Sequence, residues 1–382
     1  MHGPGAASRS AIHLAFVRKA RQKGRMSPPV PLRPTGTAEV LLPCADLPAA
    51  LDFFVGRLGF RVETIFPAEE PQVASLSGHG MRLRLEPGDG DPGTIRLACD
   101  APGAERVLIA PNGTRIELVE ADPAIVIPPL RPEFLVTRQG EGPDAGAGRA
   151  GMLYRDLIPG RLGERFIASH ITIPEGGPVA DWVHFHKIGF QLIFCRRGWV
   201  RLVYEDQGPP FILSAGDCVL QPPRIRHRVL ESSPGLEVVE IGSPALHETL
   251  ADHDMDLPTP HLRPDRDFGG QVFLRHVSAE IPWVPHGDSG FEHHDTGMAQ
   301  ATRGAADVRV LRPAVARDLA LPAHGAELLF GFLLEGSCVL HRQGTHPLGP
   351  ADAFVIPAGE AWSLSGCSAD LRLLEVIAPA GV

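Results

Sequence analysis

The sequence predicts a mainly β protein, with two strand-built barrels preceded by a small α+β module of βαβββ order. Three observations carry this. The chain holds 42 Gly and 38 Pro in 382 residues, enough to punctuate it roughly every eight to twelve residues, as short strands joined by tight turns require. Regions 151–243 and 306–382 show the same succession of short apolar strands and turns, which reads as an internal repeat. The region before them carries one amphipathic helical pattern, with Leu51, Phe54, Val55 and Leu58 at helical spacing.

A chain of 382 residues exceeds one ordinary core, so two or three domains are expected. Its 43% hydrophobic and 21% charged residues are those of a globular protein. The formal charge of −9 argues against a nucleic-acid partner, which needs a basic face. No apolar run approaches the ~18–20 residues that span a bilayer, so no membrane association is expected. The six cysteines lack CxxC spacing. That excludes a disulfide framework and a thiolate zinc site, and makes a reducing cytoplasm the expected compartment.

Six segments follow in order. Residues 1–35 are a basic leader without Asp or Glu, expected to be disordered. It reads as an organelle address, as a nucleic-acid arm, or as an over-extended start with translation beginning at Met26; disorder or the over-extended start is favoured. Region 36–122 is the βαβββ module: an alternating strand at 38–42, a helix from Leu47 to about Leu58, then strands at 61–66, 72–77, 82–86, 94–98 and 115–119. The turn Pro111-Asn112-Gly113-Thr114 introduces the last. Region 123–150 is Pro- and Gly-rich and reads as a linker. Region 151–243 is the first barrel, 244–305 an irregular connector and 306–382 the second barrel.

In the first barrel the run Gly177 to Gln191 contains His184 and His186, which lie two apart and so share one strand face. Gly216-Asp217 makes a turn, a strand leads to Pro222, and His227 follows. This pair of motifs resembles the two signature motifs of the cupin superfamily, across the whole barrel and with nearly the same internal spacing. The resemblance implies a jelly-roll barrel in which two histidines, an acidic residue and a last histidine bind a metal. Those roles fall on His184, His186, Gln191 and His227. Three departures stand out: Gln191 replaces the acidic residue, Gly177 sits one residue further from His184, and Arg224 replaces a glycine. With an amide in place of the carboxylate, one divalent ion per chain (Fe, Zn, Ni or Mn) keeps its full charge and acts as a stronger Lewis acid. If Gln191 does not coordinate, a three-histidine site with open positions remains.

Aligning the second barrel on Gly336 and Pro357 puts Pro322 on His184, His324 on His186, Leu329 on Gln191 and Trp362 on His227. One imidazole cannot hold an ion against water, so this barrel is expected to be degenerate. The N-terminal stretch, with "LDFFVGRLGF" and the closing "APNGTRIELVE", resembles a module of the vicinal oxygen chelate superfamily, which includes glyoxalases and extradiol dioxygenases. The resemblance implies possible ligand positions at Glu39 and Glu117, with exposed strand carboxylates the favoured reading and dimerisation or substrate shaping the expected role.

Arg155, Arg165, Trp182 and Gln221 are candidate substrate-binding residues at the barrel mouth, and no residue is assigned a catalytic role. An arginine there would grip a carboxylate. The expected function is a cytoplasmic, homodimeric metalloenzyme acting on a small, oxygen-rich, anionic metabolite, with a lean to dioxygenase chemistry. A redox-neutral isomerase, lyase or hydrolase, and a non-catalytic binding barrel, are the alternatives.

Overall fold

The computed structural model describes residues 38–141, 146–148, 151–315 and 318–378, so the basic leader lies outside the described residues. The fold is mainly β, with the strands of residues 124–382 collected into jelly-roll sheets. Two compact units divide the chain, 1–123 and 124–382.

In the first unit Asp46 caps the helix Leu47–Leu51, its Oδ1 accepting from the Ala49 N–H at 3.0 Å. The predicted helix then widens into a π-helix over Asp52–Arg57, closed by the Leu58 N–H on the Phe53 carbonyl at 3.2 Å. Its buried face, Leu47, Ala50 and Phe54, packs on Leu76, Leu83 and Leu85. These belong to a four-stranded sheet in the order Val40–Pro43, Met81–Glu86, Val73–Gly78, Arg61–Phe66, with the first pair parallel. Strands Thr94–Cys99, Arg115–Glu120 and Val107–Ile109 form a sheet of their own. Hydrophobic alternation identifies these as strands but says nothing about which sheet each joins. The Asn112-Gly113 turn is as expected, with Gly113 at φ 88 and its N–H on the Ala110 carbonyl at 2.8 Å.

The second unit contains two barrels. One sheet of the first runs Leu274–His276, Cys218–Leu220, Phe190–Arg197, Leu236–Ser243, Ile167–Ile173, Leu153–Asp156, Gly146–Ala147. Its other sheet runs Phe211–Ser214, Trp199–Tyr204, His227–Ser232, His184–His186, Thr249–Ala251, with Gly177–Pro178 also paired to His227–Ser232. The second barrel has a sheet Val284–Pro285, Phe291–Asp295, Asp307–Pro313, Arg372–Ala378, Leu328–Glu335, Ala353–Ile356, Leu135–Thr137. Its other sheet is Leu319–Leu321, Trp362–Ser365, Cys338–His341, Thr345–Leu348.

Two short strands thus come from the segment that reads as a linker. Leu135–Thr137 pairs with Ala353–Ile356, and Gly146–Ala147 with Leu153–Asp156. Likewise Phe291–Asp295, in the connector, is a full strand of the second barrel. Composition marks the turns around such segments, while their pairing comes from backbone hydrogen bonds that composition does not encode.

Alternation along Phe190–Arg197 explains how the barrels join. Phe190, Leu192 and Phe194 point out of the barrel and pack, with Ala168, Val239 and Ile241, against Phe330, Phe332, Val310, Leu374 and Val376 of the second barrel. Gln191 and Ile193, one step out of phase, face the first barrel's own interior. Both faces are therefore buried, which is why the strand reads FQLIFC with little polar interruption. Each phenylalanine taken out of water there contributes roughly 1.5–3 kcal/mol.

The repeat extends to its turns. Gly198 and Gly336 follow equivalent strands at φ 76 and 75, and a Cβ on either would meet Ser233 Oγ at 2.3 Å or Ser368 Oγ at 2.5 Å. Those hydroxyls accept from the Trp199 and Ser337 N–H groups at 3.0 and 2.8 Å.

Candidate metal centre

Strand His184–His186 pairs antiparallel with His227–Ser232, placing His184 directly opposite His227. The ring centroids of His184 and His227 are 4.2 Å apart, and each lies 5.3 Å from that of His186. One ligand nitrogen from each ring lies within 4.8 Å of the others, and among the described residues this is the one such group of His, Cys, Asp or Glu. His184 and His227 are buried at 0% and 4% exposure.

The outer nitrogens are held. His184 Nδ1 donates to the Trp182 carbonyl at 2.8 Å and has Asp181 Oδ1 at 3.6 Å. His227 Nδ1 donates to the Ile225 carbonyl at 3.0 Å. A carbonyl can only accept, so both rings carry the proton on Nδ1 and the lone pair on Nε2, the tautomer a metal ligand needs. Thr249 Oγ1 sits 2.9 Å from His186 Nδ1. Tyr204 stacks on His227 at 5.5 Å, and burial pushes its phenol far above the usual range, keeping it protonated.

Gln191 faces the same interior from the opposite sheet and is 2% exposed. Its Nε2 donates to Glu240 Oε1, while its Oε1 is buried with no hydrogen-bond partner among the described residues. A buried, unsatisfied amide oxygen is costly, and a cation beside it removes the cost. Three imidazoles, two of them with Nε2 free to ligate, and an orphaned amide oxygen therefore fit a divalent ion of the imidazole-preferring kind.

The cavity at this centre has a volume of about 250 Å³. Register orders its walls. Gln191 and Ile167 both stand opposite Gly242, with Ser169 and Ile193 opposite Glu240 one step further in and Ile171 opposite Val238 beyond. On the other sheet Tyr204 is level with His227 and Leu202 with Val229. Polar groups thus gather at the histidines and the first layer past them, and the remainder is apolar apart from the Tyr154 hydroxyl, which donates to Met152 Sδ at 3.3 Å.

Of the candidate substrate contacts, Gln221 lines the cavity and Arg155, Arg165 and Trp182 do not. Tyr154 lines it, so Arg155, its neighbour on the strand, points the other way, into the seam between barrels. There its Nη2 donates to the Ala351 carbonyl at 2.6 Å. Burial lowers its guanidinium from the ordinary value. Arg165 Nε donates to Glu327 of the second barrel at 2.8 Å. Placing these arginines at the mouth fails because charge does not say which face of its strand Arg155 occupies, nor where the turn that carries Arg165 directs it. Trp182 is 44% exposed, and it is its backbone carbonyl that serves the site. Arg226 turns outward onto Asp252 at 3.1 Å, with its guanidinium 4.2 Å above Phe185.

Glu240, His247, Thr249 and Asp181 were not foreseen. Glu240 and Asp181 leave a trace in the sequence, the first as a carboxylate on an otherwise apolar strand face and the second three residues before His184. His247 and Thr249 come from outside the barrel's motifs, and no sequence signal points to them.

In the second barrel Leu321, not Pro322, stands opposite Trp362 as His184 stands opposite His227. His324 is taken up by the backbone, with Nε2 donating to the Ile356 carbonyl at 3.1 Å. In the first unit Glu39 lies 3.8 Å from Arg82. Glu117 accepts from Arg96 and Arg115, which hold its carboxyl below the usual range. Both carboxylates are thus engaged by arginine.

No protein-family model and no curated protein matches the sequence. Among solved structures, the chain is similar to protein Ylba from E. coli, with TM-score 0.48 and 14% identity over 68% of this chain and 94% of that one. A mutant of salicylate 1,2-dioxygenase from Pseudoaminobacter salicylatoxidans gives 0.43 and 15% over 56% and 70%. A mutant of Bacillus subtilis oxalate decarboxylase gives 0.44 and 12% over 61% and 74%. The fold assignment rests on the sheets described above, and these likenesses say nothing about the reaction of this chain.

Proposed function

We propose that the first barrel is the metal centre of a small-molecule enzyme, with one divalent ion (Fe, Zn, Ni or Mn) held by His184, His186 and His227 and by the Gln191 amide oxygen. The observation that carries this is the convergence of three imidazoles, two with tautomers set by backbone carbonyls, on a cavity that also holds an orphaned amide oxygen. When bound, such an ion supplies Lewis acidity toward substrate oxygens and, in the case of iron, a route to O₂ chemistry.

The chain's own residues do the rest. Ile171, Val200, Leu236 and Val238 keep water from the inner cavity, while Gln221, Ser169 and Thr249 offer hydrogen bonds to an oriented substrate. No Lys or Arg is among the lining residues, so an anionic oxygen of the substrate is met at the metal and not by an arginine. A cavity of roughly 150 Å³ admits benzene, so about 250 Å³ suits a one-ring compound or one of similar size with a chelating oxygen head. We favour a dioxygenase. The neutral amide at Gln191 favours the second reading, redox-neutral Lewis-acid catalysis by an isomerase, lyase or hydrolase.

Elemental analysis of untagged protein tests the centre. About one ion per chain, absent from the His184→Ala/His227→Ala protein, is the expected result, and no metal even after anaerobic reconstitution would sink the reading. Fe(II)-dependent oxygen uptake with a panel of catechols, flavonoids, thiols and β-diketones separates the dioxygenase from the redox-neutral enzyme. Ligand-induced thermal shifts without turnover would leave a binding barrel. The proposal includes a cytoplasmic homodimer. The six cysteines, none in a disulfide, support that compartment, and light scattering tests the dimer. No helix among the described residues is long and apolar enough to cross a membrane.

A further inference from the structure

Glu240 is a carboxylate inside an otherwise aliphatic strand face, on Leu236–Ser243 between Val238 and Gly242. Its own strand and register aim it at the metal-centre cavity, yet it is not part of the group whose ligand atoms lie within 4.8 Å of one another. What it touches is Gln191, whose Nε2 donates to Glu240 Oε1.

An amide has two ends of nearly the same shape, one a donor and one an acceptor. Only the oxygen end can ligate a cation, and nothing in the Gln191 side chain itself decides which end faces the histidines. A carboxylate can only accept when ionised, so it takes the NH₂ end and turns the oxygen the other way. The orphaned Oε1 is the consequence. The second barrel repeats the carboxylate without its partner. Glu375 stands opposite Gly331 as Glu240 stands opposite Ile193, but Leu329 occupies the place of Gln191, and Glu375 Oε2 is left without a hydrogen bond.

We infer that Glu240 is a positioning residue that orients the Gln191 amide so that its oxygen is presented as the fourth ligand of the metal centre. The inference rests on the reading of the first barrel as a metal site. Glu240 stands one step behind the ligand shell, so the site gains orientation without a carboxylate on the ion.

The test uses Co(II) as probe, with dissociation constants from chelator competition and the visible absorption spectrum as a geometric signature. Outer partners of metal ligands contribute roughly 10–100-fold in affinity. Glu240→Gln should therefore weaken Co(II) by about that factor and change the spectrum. Gln191→Ala should do the same, and the two substitutions together should be no worse than Gln191→Ala alone. The exchange Gln191→Glu/Glu240→Gln keeps the hydrogen bond with donor and acceptor reversed, and should restore tight binding. Circular dichroism and thermal melting confirm that each variant folds. Wild-type affinity and spectrum in Glu240→Gln, or additive losses in the double variant, would overturn the positioning role while leaving the metal site standing. No Co(II) binding by the wild type would overturn both.

Discussion

The two barrels share strand order, glycine turns and an inward carboxylate, yet one encloses a cavity and the other is filled. The difference lies at a few inward positions matched by register. Ile193 of the first barrel is opposite Val219, whereas Gly331 of the second is opposite Phe354. A Cβ on Gly331 would lie 2.2 Å from the Phe354 ring, so the missing side chain makes room for the aromatic one. Trp362, 5.4 Å from Phe354 between ring centroids, stands in the position of His227. Volume that is cavity in one barrel is hydrophobic core in the other, and the lesson is that the fold tolerates either filling as long as the outward faces still pack against each other.

The most severe way to break the comparison is to move one residue across it. His227→Trp should abolish metal binding in the first barrel while its strands persist, read as metal content against an unchanged far-ultraviolet spectrum. Retention of one ion per chain would show that His227 is not a ligand.

Next in size is the stranded carboxylate. Burial in the second barrel pushes Glu375 up to about 7, from an ordinary 4.5. The folded state thus holds this proton more tightly than the unfolded chain. The resulting stabilisation is complete below about pH 4.5 and is lost as pH rises through about 7. At 1.36 kcal/mol per pH unit the span corresponds to roughly 3 kcal/mol. Glu375→Gln removes this dependence, so denaturant melts should show the variant gaining on the wild type between pH 4.5 and 8. Parallel curves across that range would refute the argument.

The smallest expected effect sharpens the packing claim. Gly331→Ala pushes a methyl into Phe354 and should cost about 1–3 kcal/mol in chemical denaturation, with metal content unchanged. A neutral result would mean that Phe354 has somewhere else to go.

Much of this was legible in the residues. Gly and Pro spacing pointed to the mainly β character, and the His-x-His pair with a later histidine pointed to the three-histidine group, because coordination chemistry restricts residue types and strand geometry restricts their spacing. The expectation that the second barrel is degenerate came from Leu329 and Trp362 standing at the positions of Gln191 and His227. The arginines were harder. Arg155 and Arg165 carry the right charge for a substrate clamp, but one residue of register decides between cavity and seam for Arg155, and Arg165 sits in the turn before Ile167–Ile173. With no one-sided alternation to read, the sequence is silent about facing.

By itself, then, the sequence determined which side chains could ligate and which strands could form, since both depend on residue type and short spacing. Only the tertiary structure decided that Glu240 meets Gln191 across two strands, that Thr249 backs His186 from beyond the barrel's motifs, and that residues 135–137 complete the other barrel's sheet. Those contacts join residues from 49 to more than 200 positions apart, and pairing at such distances is set by how sheets close and pack, which no local pattern records.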